Sequence, residues 1–330
     1  MMSMYMPIIG VTMGDPSGIG PEITLKSYLD DTIRNNRLVV IGDINVMSAI
    51  AQKLEIDNLK INKVNKVSEC KFDKDILNIY DLNNVDISRL KPGQVQAMSG
   101  NAAFEYVKKA THLALEKEID AIVTAPLNKE AMHKAGHLYP GHTEILAKFT
   151  KTKDYAMLLY DEILKVIHVS THISLLDAIK GLRKERIAAV IHLAHDTMIK
   201  LGYESPRIAV AGINPHAGEG GLFGDEEIKE IIPAIELKRR EGIDVVGPEA
   251  PDTVFLRAKE GRFDIVVAMY HDQGHIPLKL LGFHTGVNVT AGLPIIRTSV
   301  DHGTAFGKAW KGIANENSMK EAIKLAIKLA

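Results

Sequence analysis

Three apolar runs in this 330-residue chain end the same way, in a few polar or small residues and then histidine: Val166-Ile167-His168-Val169-Ser170-Thr171-His172, Ile208-Ala209-Val210-Ala211-Gly212-Ile213-Asn214-Pro215-His216 and Ile265-Val266-Val267-Ala268-Met269-Tyr270-His271. Read as buried strands, they put His172, His216 and His271 at strand carboxyl ends, placed to converge where open α/β sheets bind ligands. Three neutral imidazoles with open coordination positions make a catalytic divalent-metal site, since a structural zinc site would be closed by a fourth protein ligand. Taken singly, each reads better as a partly buried histidine bonded to backbone; the shared placement argues for ligands. Asp272, next to His271, could orient that imidazole or act as a further ligand. All 13 histidines lie between His112 and His302. His168, inside a strand, reads as core, and His112, His192 and His195, in helical patterns, take no role.

A second candidate is the loop Gly14-Asp15-Pro16-Ser17-Gly18-Ile19-Gly20-Pro21-Glu22, which follows an apolar run and opens a helix whose first amides could hold an anion. It lacks the Gly-Lys-Ser/Thr of a P-loop, and Ile23 stands where a dinucleotide motif needs Gly or Ala. Asp43 imitates a ribose-binding acid, yet the loop reads as a tight structural turn.

The elements that must position these residues follow from periodicity. Buried strands are expected at Ile8 to Met13, Leu38 to Ile41, Ile76 to Tyr80, Ala121 to Ala125, Ala156 to Tyr160, Leu164 to Val169, Ile208 to Gly212 and Ile265 to Met269. Helical patterns cover Glu22 to Arg34, Asn101 to Glu118, Lys184 to Leu201, Glu226 to Arg240 and Ser318 to Leu329, the last with a capping box from Ser318 and Glu321. This alternation is that of an α/β protein with mainly parallel sheets. With 40 Lys+Arg against 41 Asp+Glu, the net charge of −1 gives no motive for binding nucleic acid or an anionic membrane. The single cysteine, Cys70, excludes an internal disulfide and suits a reducing compartment. No signal peptide or membrane span is legible, so a cytoplasmic protein is expected.

Further motifs give the chain a family resemblance. Gly14-Asp15-Pro16, Pro126-Leu127-Asn128-Lys129, Gly141-His142-Thr143-Glu144, Asn214-Pro215-His216-Ala217-Gly218-Glu219, Tyr270-His271-Asp272-Gln273-Gly274 and Arg297-Thr298-Ser299-Val300-Asp301-His302-Gly303-Thr304-Ala305 occur in order. Together they strongly resemble the 4-hydroxythreonine-4-phosphate dehydrogenase family. The resemblance implies NAD-dependent oxidation and decarboxylation of a phosphorylated hydroxy acid in a homodimer. It implies His172, His216 and His271 as ligands of one divalent ion per site (Zn, Co, Mg or Mn), contributed by both subunits. Family substrate contacts carry over to His142, Thr143, Lys279, Asn288 and Arg297, where Lys279 and Arg297 suit phosphate or carboxylate.

The segment His302-Gly303-Thr304-Ala305, with Gly312-Ile313-Ala314-Asn315, looks like the cofactor loop of isopropylmalate and isocitrate dehydrogenases. That likeness implies two α/β/α subdomains with the active site in the cleft between them. Residues 1–125 with 285–330 would form the cofactor side, and 126–284 the metal, substrate and dimerisation side. The base is left open between Asp252 and Asp272, and NAD is not distinguished from NADP.

His275 stands where biosynthetic members carry an apolar residue. With Leu280-Leu281-Gly282-Phe283-His284-Thr285-Gly286, it looks more like the catabolic branch, which acts on 4-phospho-D-threonate or 4-phospho-D-erythronate and yields dihydroxyacetone phosphate and CO2. The vitamin B6 pathway substrate is the alternative. From another class, a metal-dependent hydrolase or a phosphate acyltransferase stays open.

Overall fold

The computed structural model describes residues 5–282 and 285–330. Phe283 and His284, part of the stretch read as catabolic, lie outside the described residues. The strands in chain order are β1 (Ile8–Thr12), β2 (Arg37–Gly42), β3 (Lys60–Val64), β4 (Ile76–Asp81), β5 (Ala121–Thr124), β6 (Ala156–Tyr160), β7 (Lys165–His168), β8 (Ile208–Ala211), β9 (Val245–Glu249), β10 (Ile265–Ala268), β11 (Val287–Ala291) and β12 (Ile296–Val300). All eight expected strands form, each within a residue or two of its expected ends. The mixed α/β class with mostly parallel strands is the fold found.

The chain divides into two compact units, Met1–Lys153 with Leu293–Ala330, and Asp154–Gly292. In the first, the strands run β3-β4-β2-β1-β5-β12, every pair parallel. Its core is formed by β1, β2 and β4 residues such as Ile9, Val11, Val39, Ile41, Leu77 and Ile79, closed by Ile23 and Tyr106 from helices. In the second, the order is β11-β6-β7-β10-β8-β9. There β7, β10, β8 and β9 are parallel, and β6 is antiparallel to both β7 and β11. Leu159, Val166, Ala209, Val254, Phe255, Val266 and Leu278 form one buried cluster of this unit.

The expected boundaries at 125/126 and 284/285 differ from these units. The helix His142–Thr150 packs on the helix Ala97–Leu115, which keeps residues up to Lys153 with the first unit. Strand β11 pairs with β6 from Val287↔Tyr160 to Ala291↔Ala156 and so belongs to the second.

Several local expectations are corrected. The helix expected over Glu22 to Arg34 is two, Gly20–Tyr28 and Asp31–Arg34, because Asp30 turns extended and caps the second by accepting from Thr32 N. The C-terminal helix starts at Asn317 with Glu316 as its cap, so Ser318 lies inside the first turn and no capping box forms. Glu321 pairs with Lys324 instead. Asp43 is a buried helix cap that accepts from the amides of Asn45, Val46 and Val85, leaving it no ribose to bind. Among the described residues, no helix is long and apolar enough to cross a membrane.

Candidate metal and substrate site

Register aligns the three strands that carry the histidines. His168 lies opposite Ala268, and Val267 opposite Val210, so β7, β10 and β8 are neighbours whose carboxyl ends are level. Side chains from the segments that follow staple these ends together. Ser170 Oγ donates to Met269 O at 2.8 Å, tying the end of β7 to that of β10. Gln273 accepts from Met269 N at 2.6 Å and donates through Nε2 to Gly212 O at 2.7 Å, tying β10 to β8. Sequence reasoning missed both. For Gln273 the available signal was its place inside the His-Asp-Gln-Gly motif.

His271 begins the helix His271–Gly282, and its Nδ1 lies 2.6 Å from Asp272 Oδ1. With the proton on Nδ1 shared with that carboxylate, Nε2 is the lone-pair donor of the ring, the arrangement by which carboxylates orient metal-binding imidazoles. The rings of His172 and His271 are 6.0 Å apart between centroids. Both line a cavity of about 310 Å³ with Thr171, Leu175, Tyr270 and Asp272. A second cavity, of about 490 Å³, is lined by Asp252, Tyr270, Asp272, Gln273 and Ile276 among others, so both candidate bases face one space.

Behind His271 stands a row of imidazoles. His275 stacks on His271 with centroids 3.6 Å apart and planes 11° apart, and its Nδ1 bonds His271 O at 2.9 Å. His168 lies 4.7 Å behind His275. Burial pulls the His168 imidazole down to about 3 and that of His275 down to about 4, so both are neutral spacers that fix the ring in front of them. His168, read from the sequence as core, is fully buried.

His216 is presented differently. After β8 the chain enters a turn in which His216 (φ 53°, ψ 29°), Ala217 (φ 54°, ψ 41°), Gly218 (φ 81°, ψ −9°), Glu219 (φ 43°, ψ 52°) and Gly220 (φ 67°, ψ 21°) are all left-handed. Three of the five have a Cβ, at roughly 1–2 kcal/mol each. The turn leaves His216 exposed, with its ring 6.2 Å from that of Phe223. Level strand ends therefore do not make the three histidines converge within one chain. Among the described residues, no three His, Cys, Asp or Glu side chains come close enough to hold a metal ion.

Of the substrate contacts implied by resemblance, three lie in the first unit. Arg297, on β12, is 3% exposed and donates from Nε and Nη2 to Thr124 Oγ1 at 3.1 and 2.7 Å. Burial pulls its guanidinium down to about 9 while Glu144 holds it up. An anion brought beside it would offset that cost. His142 and Thr143 open the helix His142–Thr150. Burial and the Arg297 cation push the His142 imidazole well below its usual range, so it is neutral. It donates to the Ala125 backbone, and its buried Nε2 has no partner among the described residues, which leaves a lone pair for a hydroxyl donor. In the second unit, Asn288 on β11 likewise has a buried Oδ1 with no partner among the described residues, and Lys279 is exposed on the helix that carries His271.

His302, Gly303 and Ala305 are exposed while Thr304 is buried, its carbonyl accepting from Ile19 N at 3.1 Å. The glycine loop thus packs against this segment. Its helix holds the next one too: the Glu22 carboxylate accepts from Gly312 N and Ala314 N at 3.1 and 2.8 Å, and Lys26 Nζ donates to the carbonyls of the same two residues at 2.8 and 2.9 Å.

Residues 34–326 match the family model described as pyridoxal phosphate biosynthetic protein PdxA. A D-threonate 4-phosphate dehydrogenase from Pectobacterium atrosepticum is 55% identical over 323 residues, covering 98% of this chain and 99% of that protein. Its namesake from Salmonella typhimurium is 54% identical over 322 residues, with 98% of each chain covered. Among solved structures, 4-hydroxythreonine-4-phosphate dehydrogenase from Klebsiella pneumoniae superimposes with a TM-score of 0.93 at 52% identity, covering 100% of this chain and 99% of that one.

Proposed function

The chain belongs to the family of the pyridoxal phosphate biosynthetic protein PdxA, and from that membership we propose that it oxidises and decarboxylates 4-phospho-D-threonate with NAD and a divalent metal ion. It is an oxidoreductase acting on a hydroxyl group, as its relatives named dehydrogenases are. The substrate follows relatives of 50 to 55% identity over the full chain that are named for D-threonate 4-phosphate. The amino analogue, 4-hydroxythreonine 4-phosphate, is the second reading, after the name of the Klebsiella pneumoniae protein. The erythronate epimer differs at one carbon and is a third arm of the test.

The observation that carries the metal-assisted reading is the pair His172 and His271 on one cavity, with the Asp272 carboxylate on His271 Nδ1. The donor set fits a borderline divalent ion such as zinc or cobalt. His216, exposed on its turn, fits a ligand given to a second copy of the chain. Leu175 and Leu176 near His172, Leu222 and Phe223 near His216, and Ile276 and Leu280 beyond His271 are all exposed, apolar surface that a homodimer would cover. For the cofactor, among the described residues nothing beyond the chain neighbours lies within 4 Å of where a Cβ on Gly303 or Gly307 would stand, which leaves room for a dinucleotide along the His302-Gly303-Thr304-Ala305 backbone.

A nicotinamide held along residues 302–305 would supply the hydride acceptor for C3, and a divalent ion held by His172 and His271 would supply the charge that favours loss of the C3 hydroxyl proton. The residues supply the rest. Arg297 and Lys279 bind phosphate and carboxylate, while neutral His142 and Thr143 orient hydroxyls through lone pairs and donors. Asp252 or Asp272 takes the C3 hydroxyl proton. Loss of that proton and the C3 hydride gives a β-keto acid. Its C1–C2 bond breaks to release CO2, and a proton returned to C2 gives dihydroxyacetone phosphate.

The test is to incubate the protein with NAD, Co2+ or Zn2+ and each of the three phosphorylated acids, following NADH absorbance and CO2. NADH and CO2 in equal amounts with 4-phospho-D-threonate are expected. No NADH with any acid sinks the dehydrogenase reading, and faster turnover of 4-hydroxythreonine 4-phosphate sinks the substrate assignment.

A further inference from the structure

Glu227 is buried to 1% exposure at the start of a helical segment, where the first turn, Glu227–Ile231, is wound as a π-helix. A buried carboxylate in a non-standard turn needs partners, and Glu227 finds them all in the loop after β8. Its Oε1 accepts from both Ile213 N and Asn214 N at 2.8 Å, and its Oε2 accepts from Asn214 Nδ2 at 2.9 Å. The two groups just before these are held as well: Gly212 N donates to Glu249 O at 2.8 Å, and Gly212 O accepts from Gln273. The loop wraps the carboxylate closely. A Cβ on Gly218 would lie 2.8 Å from Glu227 Oε2, and one on Gly212 would lie 2.8 Å from Ala217 Cα.

Immediately after this anchorage come the five left-handed residues from His216 to Gly220. Such a run is unfavourable for His216, Ala217 and Glu219 and persists only where its surroundings impose it. We propose that Glu227 is the positioning residue of His216: its buried carboxylate, by gripping the backbone of Ile213 and Asn214, imposes the left-handed turn that holds the imidazole out for a metal ion. The proposal rests on the reading of His216 as a ligand, and the anchoring itself can be tested apart from that reading. Removing the charge-assisted acceptor frees the turn to relax toward right-handed conformations, and His216 is then no longer preorganised.

The experiment uses the full chain without substrate, with Co2+ alone as the probe. Metal affinity is read by chelator competition and by visible cobalt absorption, and the backbone by amide hydrogen exchange of the metal-free protein. Glu227→Gln is expected to speed exchange at Ile213 and Asn214 and to weaken Co2+ binding by about 10- to 100-fold, the range for outer partners of metal sites. Adding Ala217→Gly, which removes a left-handed penalty, is expected to restore part of that affinity. Unchanged exchange and unchanged affinity in Glu227→Gln overturn the proposal, as does a double variant that binds no better than the single one. Should Glu227→Gln fail to fold, the wild type decides: Ile213 and Asn214 amides as protected as that of Val210 support the anchor, and fast exchange there overturns it. If the wild type binds no Co2+, the metal reading fails, while the exchange rates still decide whether Glu227 holds the turn.

Discussion

Replacing Gly274 with alanine separates local propensity from packing. Gly274 sits in the first turns of the helix His271–Gly282, where alanine should be better than glycine by about 1 kcal/mol. A Cβ built there lies 2.4 Å from His168 Nε2 and 2.6 Å from Val166 Cγ1. Both neighbours belong to β7 and have 0% exposure, and the His168 ring is pinned by Met157 O on one side and lies tilted against the His275 ring on the other. Ordinary contact needs the helix start to lift by about 1 Å, the kind of overpacking that costs about 1–3 kcal/mol. Net of the propensity gain, Gly274→Ala should lose up to about 2 kcal/mol, read as a lower denaturant midpoint at unchanged slope. His271 rides on the same turn, so lifting it spoils its placement relative to His172, and a misplacement of that size costs on the order of 100-fold in turnover. A variant as stable as the wild type and fully active would refute the claim that the helix start is pressed onto β7 and that this contact places His271.

The carboxyl of Asp15 is fully buried, accepts from Ser17 N and has an Oδ2 with no partner among the described residues, and burial pushes it up to about 7. Because the folded form holds the proton more tightly than the unfolded chain, Asp15 lowers stability as pH rises from about 4 to 7, and the loss is constant above. Asp15→Asn should therefore gain on the wild type across that window, by at most about 4 kcal/mol, with no gain at pH 3; parallel pH-stability curves would contradict this. Glu22→Gln loosens the backbone of Gly312 and Ala314 and should raise the KM for NAD several-fold while sparing Co2+ affinity; an equal loss of both would show a general destabilisation.

How much of the site was legible depended on where its information lies along the chain. Each metal candidate was announced by a local signal, an apolar run followed by a histidine, because burial on both faces makes a parallel strand a continuous apolar word. Strands β3 and β9 went unread because they lie at a sheet edge and are half exposed, with Lys60-Ile61-Asn62-Lys63-Val64 too polar and Gly247-Pro248 too turn-like to register. Strands β11 and β12 went unread because polar Asn288 and Arg297 interrupt them near a glycine-rich stretch. Glu227 and Ser170 carried no signal of their own, and Gln273 only its place in the His-Asp-Gln-Gly motif, since a polar side chain that grips distant backbone looks the same in sequence as one in solvent.

The sequence by itself determined the class of fold, the strands that end in histidine and, through its motifs, the family. These follow from periodicity and spacing, which are properties of contiguous residues. Only the tertiary structure decided that β7, β10 and β8 lie side by side with level ends, that the turn after β8 is left-handed, and that His172, His216 and His271 do not gather into one metal-holding group within one chain. Strand order and loop handedness are set by packing and by hydrogen bonds between residues far apart in sequence, such as Gln273 to Gly212, and no local pattern encodes them.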